Sequence, residues 1–135
     1  MLRSPVSLIL DTSAIVAILT RESFAPLLLE KLLAAKIRLL PTPCAAEAIL
    51  ILRSKLGLDP EPILSDFFRE FGIQLIAFES QHLAWFNYGF STFGKGRHPA
   101  ALNFGDCFTY SISKSTGLPL LFTGNDFSQT DLVIA

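Results

Sequence analysis

Four acidic residues stand just after apolar, strand-like segments or near the start of helix-like ones: Asp11, Glu47, Asp106 and Asp126. In a parallel sheet these positions share one edge, because ligand crevices lie beyond the carboxyl ends of the strands. Carboxylates gathered there repel one another and must take up protons or bind a cation. An all-oxygen set without His or Cys favours Mg²⁺ or Mn²⁺ over zinc.

A hard divalent cation at such an edge suits one class of reaction. It bridges a phosphodiester oxygen, lowers the pKa of a bound water and neutralises the charge that develops in an in-line displacement. The acid quartet therefore predicts phosphodiester hydrolysis.

Each acid also has a simpler explanation when it is taken alone. Asp11 fits a helix N-cap, Asp106 a first-turn carboxylate favoured by the helix dipole, and Asp126 an ordinary turn acid. Glu47 would be a solvated helix residue, but its neighbours at helical spacing, including Cys44 and Ile51, are apolar. The conjunction of the four acids, rather than any one of them, carries the prediction.

Short apolar segments that alternate with helical ones must position these acids. We predict strands over residues 6–10, 37–40, 73–78 and 120–122, with 132–134 as a fifth. Helices are predicted over 14–19, 24–35, 80–88 and 103–116, and others begin at Thr42-Pro43 and Asp59-Pro60. This order indicates an α/β fold with a central, mostly parallel sheet of four to five strands and helices on both faces.

Composition limits the class of protein further. The chain has 135 residues, 50% of them hydrophobic and 17% charged, which predicts one globular domain over 1–135. A net charge of -1 excludes an overall basic field for duplex binding. Cys44 and Cys107 lack zinc-site spacing and are expected to be reduced core residues. We expect no membrane segment and a cytoplasmic location.

Three stretches of the chain carry a resemblance to a known family. They are LDTSA at residues 10–14, FGKGRHPAALNFGDC at 93–107 and LLFTGNDFSQTD at 120–131, with Glu47 between the first two. In this order and at these distances they resemble the PIN-domain family, and specifically its VapC-type toxins. The resemblance covers essentially the whole chain.

The resemblance implies a PIN fold and an endoribonuclease dependent on Mg²⁺ or Mn²⁺. It also implies an RNA substrate, a small VapB-type antitoxin as partner and a homodimer. Asp11 and Asp106 match the main metal ligands and Glu47 the third acid. The fourth position is open between Asp126 and Asn125, and Asp131 offers another carboxylate. Residues expected to support the acids are Thr12, Ser13, Asn103 and Asn125.

The loop over residues 94–99 adds local positive charge before the helix that bears Asp106. Lys95, Arg97 and His98 are candidates for gripping RNA phosphates, although a solvated surface loop explains them as well. Two alternatives from other classes remain at this point. One is a catalytically silent PIN domain that binds RNA or a protein. The other is a phosphotransfer receiver domain, which normally pairs two adjacent acids after its first strand, whereas Asp11 stands alone.

Overall fold

A computed structural model describes residues 6–135 of the chain. Short strands and α-helices alternate along most of its length, as the apolar segments and capping residues predict. In chain order these elements are β1 (Ser7–Leu10), α1 (Thr12–Leu19), α2 (Ala25–Ala34), β2 (Ile37–Pro41), α3 (Thr42–Leu56), α4 (Glu61–Glu70), β3 (Ile73–Ile76), α5 (Leu83–Phe93), α6 (Phe104–Thr116) and β4 (Leu120–Leu121). Single 3₁₀ turns cover Ser80–His82 and Phe127–Gln129.

The four strands form one parallel sheet in the order β3-β2-β1-β4. β1 is therefore an inner strand, paired with β2 through Leu8 and Arg38 and with β4 through Ile9 and Leu120. Because all four strands run the same way, their carboxyl ends lie at one edge of the sheet. The predicted fold class is confirmed.

Helices cover the two faces of the sheet. Leu8 and Leu10 of β1 face a core that includes Leu32 of α2 and Ala48 of α3. Ile9, between them, belongs to a second core, in which Cys107, Tyr110 and Ile112 of α6 are buried. The alternation of side chains along β1 thus joins two apolar layers, as expected for an inner strand with both faces covered.

The structure differs from the prediction at several element ends. α1 begins at Thr12 rather than at 14, because Asp11 caps it directly. The third strand stops at Ile76, and the helix predicted over 80–88 is a 3₁₀ turn followed by α5, which continues to Phe93. The fifth strand reduces to a single parallel bridge between Ile134 and Leu120.

Within residues 6–135, none of the helices combines the length and the apolar character that crossing a membrane requires.

Candidate active site

Asp11 ends the inner strand β1 and caps α1. Its Oδ2 accepts a hydrogen bond from the backbone N–H of Ser13 at 3.0 Å, the usual N-cap bond. Its Oδ1 accepts a hydrogen bond from the hydroxyl of Thr109, on α6, at 2.6 Å. With only 6% of its surface exposed, Asp11 is held in one orientation by two donors from different elements.

Asp106 lies in the first turn of α6 and is fixed by a capping box. Asn103 Oδ1 accepts from the backbone N–H of Asp106 at 2.9 Å, and Asp106 Oδ2 accepts from the backbone N–H of Asn103 at 3.0 Å. Burial raises the pKa of Asp106 to about 6 against the lowering effect of the Asn103 hydrogen bond, with further upward contributions from the charges of Asp11, Asp126 and Glu47. The charges of the other three predicted acids thus all act to raise the pKa of Asp106.

Glu47, on α3, reaches the start of α6 at Gly105. A Cβ atom added to Gly105 would overlap Glu47 Oε2 and lie 3.2 Å from its Cδ. A side chain at this position would therefore force the Glu47 carboxylate to shift, although the helical backbone of Gly105 does not itself call for glycine. The contact brings Glu47 next to the residue that precedes Asp106.

The fourth acid lies in the loop that follows β4. Asp126 precedes the 3₁₀ turn and is exposed, and the start of its loop is tied to α1 because Ser13 Oγ accepts from the backbone N–H of Thr123 at 3.0 Å. Asp131 is occupied elsewhere: it accepts hydrogen bonds from the Tyr110 hydroxyl and from Lys114, both at 2.8 Å. Of the two carboxylates left open by the sequence, Asp126 is the one whose charge acts on Asp106.

The four acids lack basic partners among the described residues. The ion pairs found over 6–135 involve Asp59, Asp66 and Asp131 instead. As the side chains stand in this part of the chain, no three His, Cys, Asp or Glu residues converge closely enough to hold a metal ion together. Mg²⁺ characteristically keeps several waters and takes one or two carboxylates, so an uncompensated group of carboxylate oxygens fits a hard cation.

Two of the predicted supporting residues contact the acids and two do not. Ser13 and Asn103 bond to Asp11 and Asp106 through their backbone N–H groups, and Asn103 also through its side chain. Thr12 directs its hydroxyl to the backbone carbonyl of Cys44 at 3.2 Å. Asn125 accepts hydrogen bonds from Ser128 and Gln129 through its backbone carbonyl.

The basic loop lies between α5 and α6. Lys95 and Arg97 are exposed, and the Arg97 guanidinium lies over the Phe90 ring, 5.5 Å from its centroid. His98 packs edge-on against Phe93, and its Nδ1 accepts from the backbone N–H of Ala100 at 3.0 Å. That nitrogen is thus used to shape the loop. The other histidine, His82, is buried, and its Nδ1 accepts from the backbone N–H of Glu79, so it has a structural role.

An apolar groove of about 310 Å³ adjoins the acids between α3 and α6. Glu47 is its charged member, and Phe104, 72% exposed, forms part of its wall. The remaining lining residues are Pro43, Ala46, Leu50, Gly105 and Phe108.

Sequence reasoning missed Thr109 and the role of Gly105. Thr109 is fully buried, and its hydroxyl donates a hydrogen bond to Asp11. The distance between its Oγ1 and the Sγ of Cys44 is 3.0 Å. A weak signal was present in the spacing, since Thr109 follows Asp106 by one helical turn and therefore lies on the same side of α6. Cys44 and Cys107 are buried and free, as predicted.

Three comparisons with known proteins agree with this architecture. A sequence model of the PIN domain family matches residues 8–132. Ribonuclease VapC36 of Mycobacterium tuberculosis is 40% identical over 126 residues, which cover 93% of this chain and 91% of the relative. Ribonuclease VapC30 of the same species is 36% identical over 125 residues, covering 93% and 95%.

The third comparison is with a solved structure. The crystal structure of M. tuberculosis VapC20, described as a sarcin–ricin loop cleaving toxin, superposes with a TM-score of 0.74. It covers 96% of this chain and 98% of the other, at 13% sequence identity. At that identity the similarity speaks for the fold alone.

Proposed function

Because this chain belongs to the PIN-domain family, we propose that it is a VapC-type endoribonuclease, working as a single domain, that hydrolyses phosphodiester bonds in RNA. The observation that carries the proposal is that Asp11, at the end of β1, and Asp106, in the first turn of α6, are both held by hydrogen bonds and have no basic partner among the described residues. The charges of Glu47 and Asp126 act on Asp106 as well. The names of the relatives, VapC ribonucleases, support the same reaction.

The acid group is suited to Mg²⁺ or Mn²⁺. Asp11 and Asp106 would hold the ion, with Glu47 and Asp126 completing the negative charge around it. When bound, such an ion activates a water and neutralises the charge that develops on the phosphate. The expected products carry a 5′-phosphate and a 3′-hydroxyl.

The residues of the chain orient these acids before any ligand arrives. The hydrogen bonds from Ser13 and Thr109 fix the orientation of the Asp11 carboxylate. The hydrogen bond from the backbone N–H of Asn103 fixes the orientation of the Asp106 carboxylate. Each carboxylate oxygen has two lone pairs, so one hydrogen bond per oxygen of Asp11 leaves acceptor capacity for a cation. Preorganised groups of this kind do not have to reorient during the reaction.

RNA phosphates would be held by the loop before α6. Lys95 and Arg97 are exposed, and their loop leads through Asn103 directly into the turn that carries Asp106. Contacts of this kind position the substrate without reading its sequence. We assign His98 a role in loop shape and in contact with the backbone of RNA rather than in proton transfer.

The partner of the toxin would be a small VapB-type antitoxin. α2 leaves Leu27 and Leu33 more than half exposed, and Phe24 precedes it with 40% of its surface exposed. An apolar helix face of this kind suits an amphipathic helix of a partner. We also propose that the protein forms a homodimer. We propose a cytoplasmic location, because its RNA substrate is found there.

The test is cleavage of RNA by the purified, antitoxin-free protein. Total RNA is incubated with Mg²⁺ or Mn²⁺, beside an EDTA control and the Asp11→Asn variant, and fragment ends are mapped. We expect discrete cuts that both controls abolish, because Asn removes the charge of Asp11 with little change in volume. Cleavage by Asp11→Asn at the wild-type rate would show that the metal mechanism is wrong. Intact RNA with a folded, metal-bound wild type would favour a silent binding module.

A further inference from the structure

We propose that Thr109 is the positioning residue for Asp11, and that it acts as the middle member of a buried hydrogen-bond chain beneath the acid cluster. This inference rests on the proposed function, because it assigns a role in that reaction to a residue outside the acid quartet. It is carried by the 2.6 Å bond from the Thr109 hydroxyl to Asp11 Oδ1 and by the full burial of Thr109.

The direction of the chain follows from counting protons. A threonine hydroxyl has one proton, and Thr109 gives it to Asp11. In the contact of 3.0 Å between Thr109 Oγ1 and Cys44 Sγ, the thiol must then be the donor and the Thr109 oxygen the acceptor. Burial, with the charge of Asp11, raises the pKa of Cys44 to about 12, so the thiol keeps its proton. The chain therefore runs from Cys44 through Thr109 to Asp11.

A further bond closes the chain onto α1. The hydroxyl of Thr12, next to Asp11, donates to the backbone carbonyl of Cys44 at 3.2 Å. Three elements, α1, α3 and α6, are thus joined by side chains that are all buried. Because leaving a buried hydroxyl without a hydrogen-bond partner is costly, these bonds restrict how the three elements can be placed relative to one another.

The chain lies one helical turn from the acids on two of these helices. Glu47 follows Cys44 by three residues on α3, and Thr109 follows Asp106 by three residues on α6. Residues three apart lie on the same side of a helix. The bond between Cys44 and Thr109 therefore links the two helices about one turn away from the contact between Glu47 and Gly105. Thr109 also fixes the orientation of the Asp11 carboxylate.

The test compares three full-length variants. Thr109→Val keeps the shape and removes the hydroxyl, whereas Thr109→Ser keeps the hydroxyl. Ser111→Ala is the matched control, because Ser111 is also fully buried on α6 but its hydroxyl donates within that helix, to the carbonyl of Phe108. Binding of Mn²⁺ is measured by electron paramagnetic resonance, and RNA cleavage is measured in parallel.

We expect Thr109→Val to weaken Mn²⁺ binding by about 10- to 100-fold, the usual effect of removing a group that supports a metal ligand. Thr109→Ser and Ser111→Ala should stay close to wild type in both measurements. Circular dichroism checks folding, and Thr109→Ala, which leaves room for water, is used if the valine variant does not fold.

Two results would overturn the inference while leaving the proposed function intact: wild-type Mn²⁺ affinity in Thr109→Val, or an equal loss in Thr109→Ser. A wild-type protein that neither binds Mn²⁺ nor cleaves RNA would overturn the proposed function first, and the inference with it.

Discussion

The carboxylate of Glu47 packs directly against Gly105, where an added side chain would force that carboxylate to move. This contact joins α3 to the first turn of α6, directly before Asp106. Since the Cβ of an alanine would overlap Glu47 Oε2, the smallest substitution at Gly105 must move the carboxylate or the helix start.

We therefore expect Gly105→Ala to lower the rate of RNA cleavage about as much as Glu47→Ala does. Gly105 has ordinary helical backbone, and alanine is the better helix former, so α6 itself should not be weakened. A double-mutant cycle with Glu47→Ala checks the mechanism: if Gly105→Ala acts through Glu47, the double variant is no worse than Glu47→Ala alone. Additive losses would contradict this explanation.

Replacing Asp106 should separate activity from stability. Asp106→Asn is expected to lower cleavage by more than about 100-fold, the upper end of the effect of losing a group that only supports a metal ligand. The same change should raise the melting temperature of the metal-free protein at neutral pH, because it removes a half-buried charge facing three other carboxylates.

The gain in stability should depend on pH. The folded-state pKa of Asp106 is raised to about 6, above the unfolded value near 3.9, so the folded protein binds this proton more tightly. The penalty from the charge is present above pH 6 and fades as the pH falls below it. Melting curves in EDTA between about pH 5 and pH 8 should show the variant's advantage shrinking at the acidic end. A constant advantage across this range would contradict the assignment.

Asp131 should stabilise the fold without taking part in cleavage. Burial alone would raise its pKa, but the hydrogen bonds from Lys114 and Tyr110 lower it below the usual value. The stabilisation is thus present above pH 4 and is lost as the pH falls through the lowered value. Tyr110→Phe should cost about 1 kcal/mol in the free energy of unfolding at pH 7.

The control for this prediction is Tyr88→Phe, since Tyr88 is nearly half exposed. Both variants should cleave RNA like the wild type. Loss of cleavage in a folded Tyr110→Phe protein would place Asp131 in the active site after all.

The basic loop should contribute to RNA affinity through charge. We expect the double variant Lys95→Ala/Arg97→Ala to bind a single-stranded RNA more weakly and with less dependence on salt. Each lost phosphate contact should reduce the slope of log affinity against log salt by about 0.7. Fluorescence anisotropy in EDTA over a range of salt measures this without cleavage. Lys55→Ala, an exposed lysine in the last turn of α3, is the control and should keep the wild-type slope.

The parts of the site that sequence could predict are those set by local rules. Asp11 and Asn103 are caps, and cap residues are recognisable because their side chains bond to the backbone two or three positions ahead. The order of strands and helices also follows from apolar segments and their boundaries. These rules placed Asp11 and Asp106 at the correct ends of β1 and α6.

The remaining parts depend on contacts between distant residues. Thr109 is 98 positions from Asp11 and 65 from Cys44, and a threonine within a buried helix face carries no periodic signal of its own. The approach of Glu47 to Gly105 likewise exists only after α3 and α6 have packed together. The predicted fifth strand over 132–134 was also wrong as a full strand, because within the described residues this segment pairs with β4 only through the bridge between Ile134 and Leu120.

The position of β1 between β2 and β4 has a consequence for synthesis of the protein. The backbone N–H of Asp11 donates to the carbonyl of Leu121, so β1 gains its second neighbour only after residue 121 has been synthesised. Until residues 120–126 have left the ribosome, β1 has one open edge, and the loop with Asp126 does not exist. Asp11 and Asp126 therefore come to the same edge of the sheet only once these two distant segments of the chain have paired.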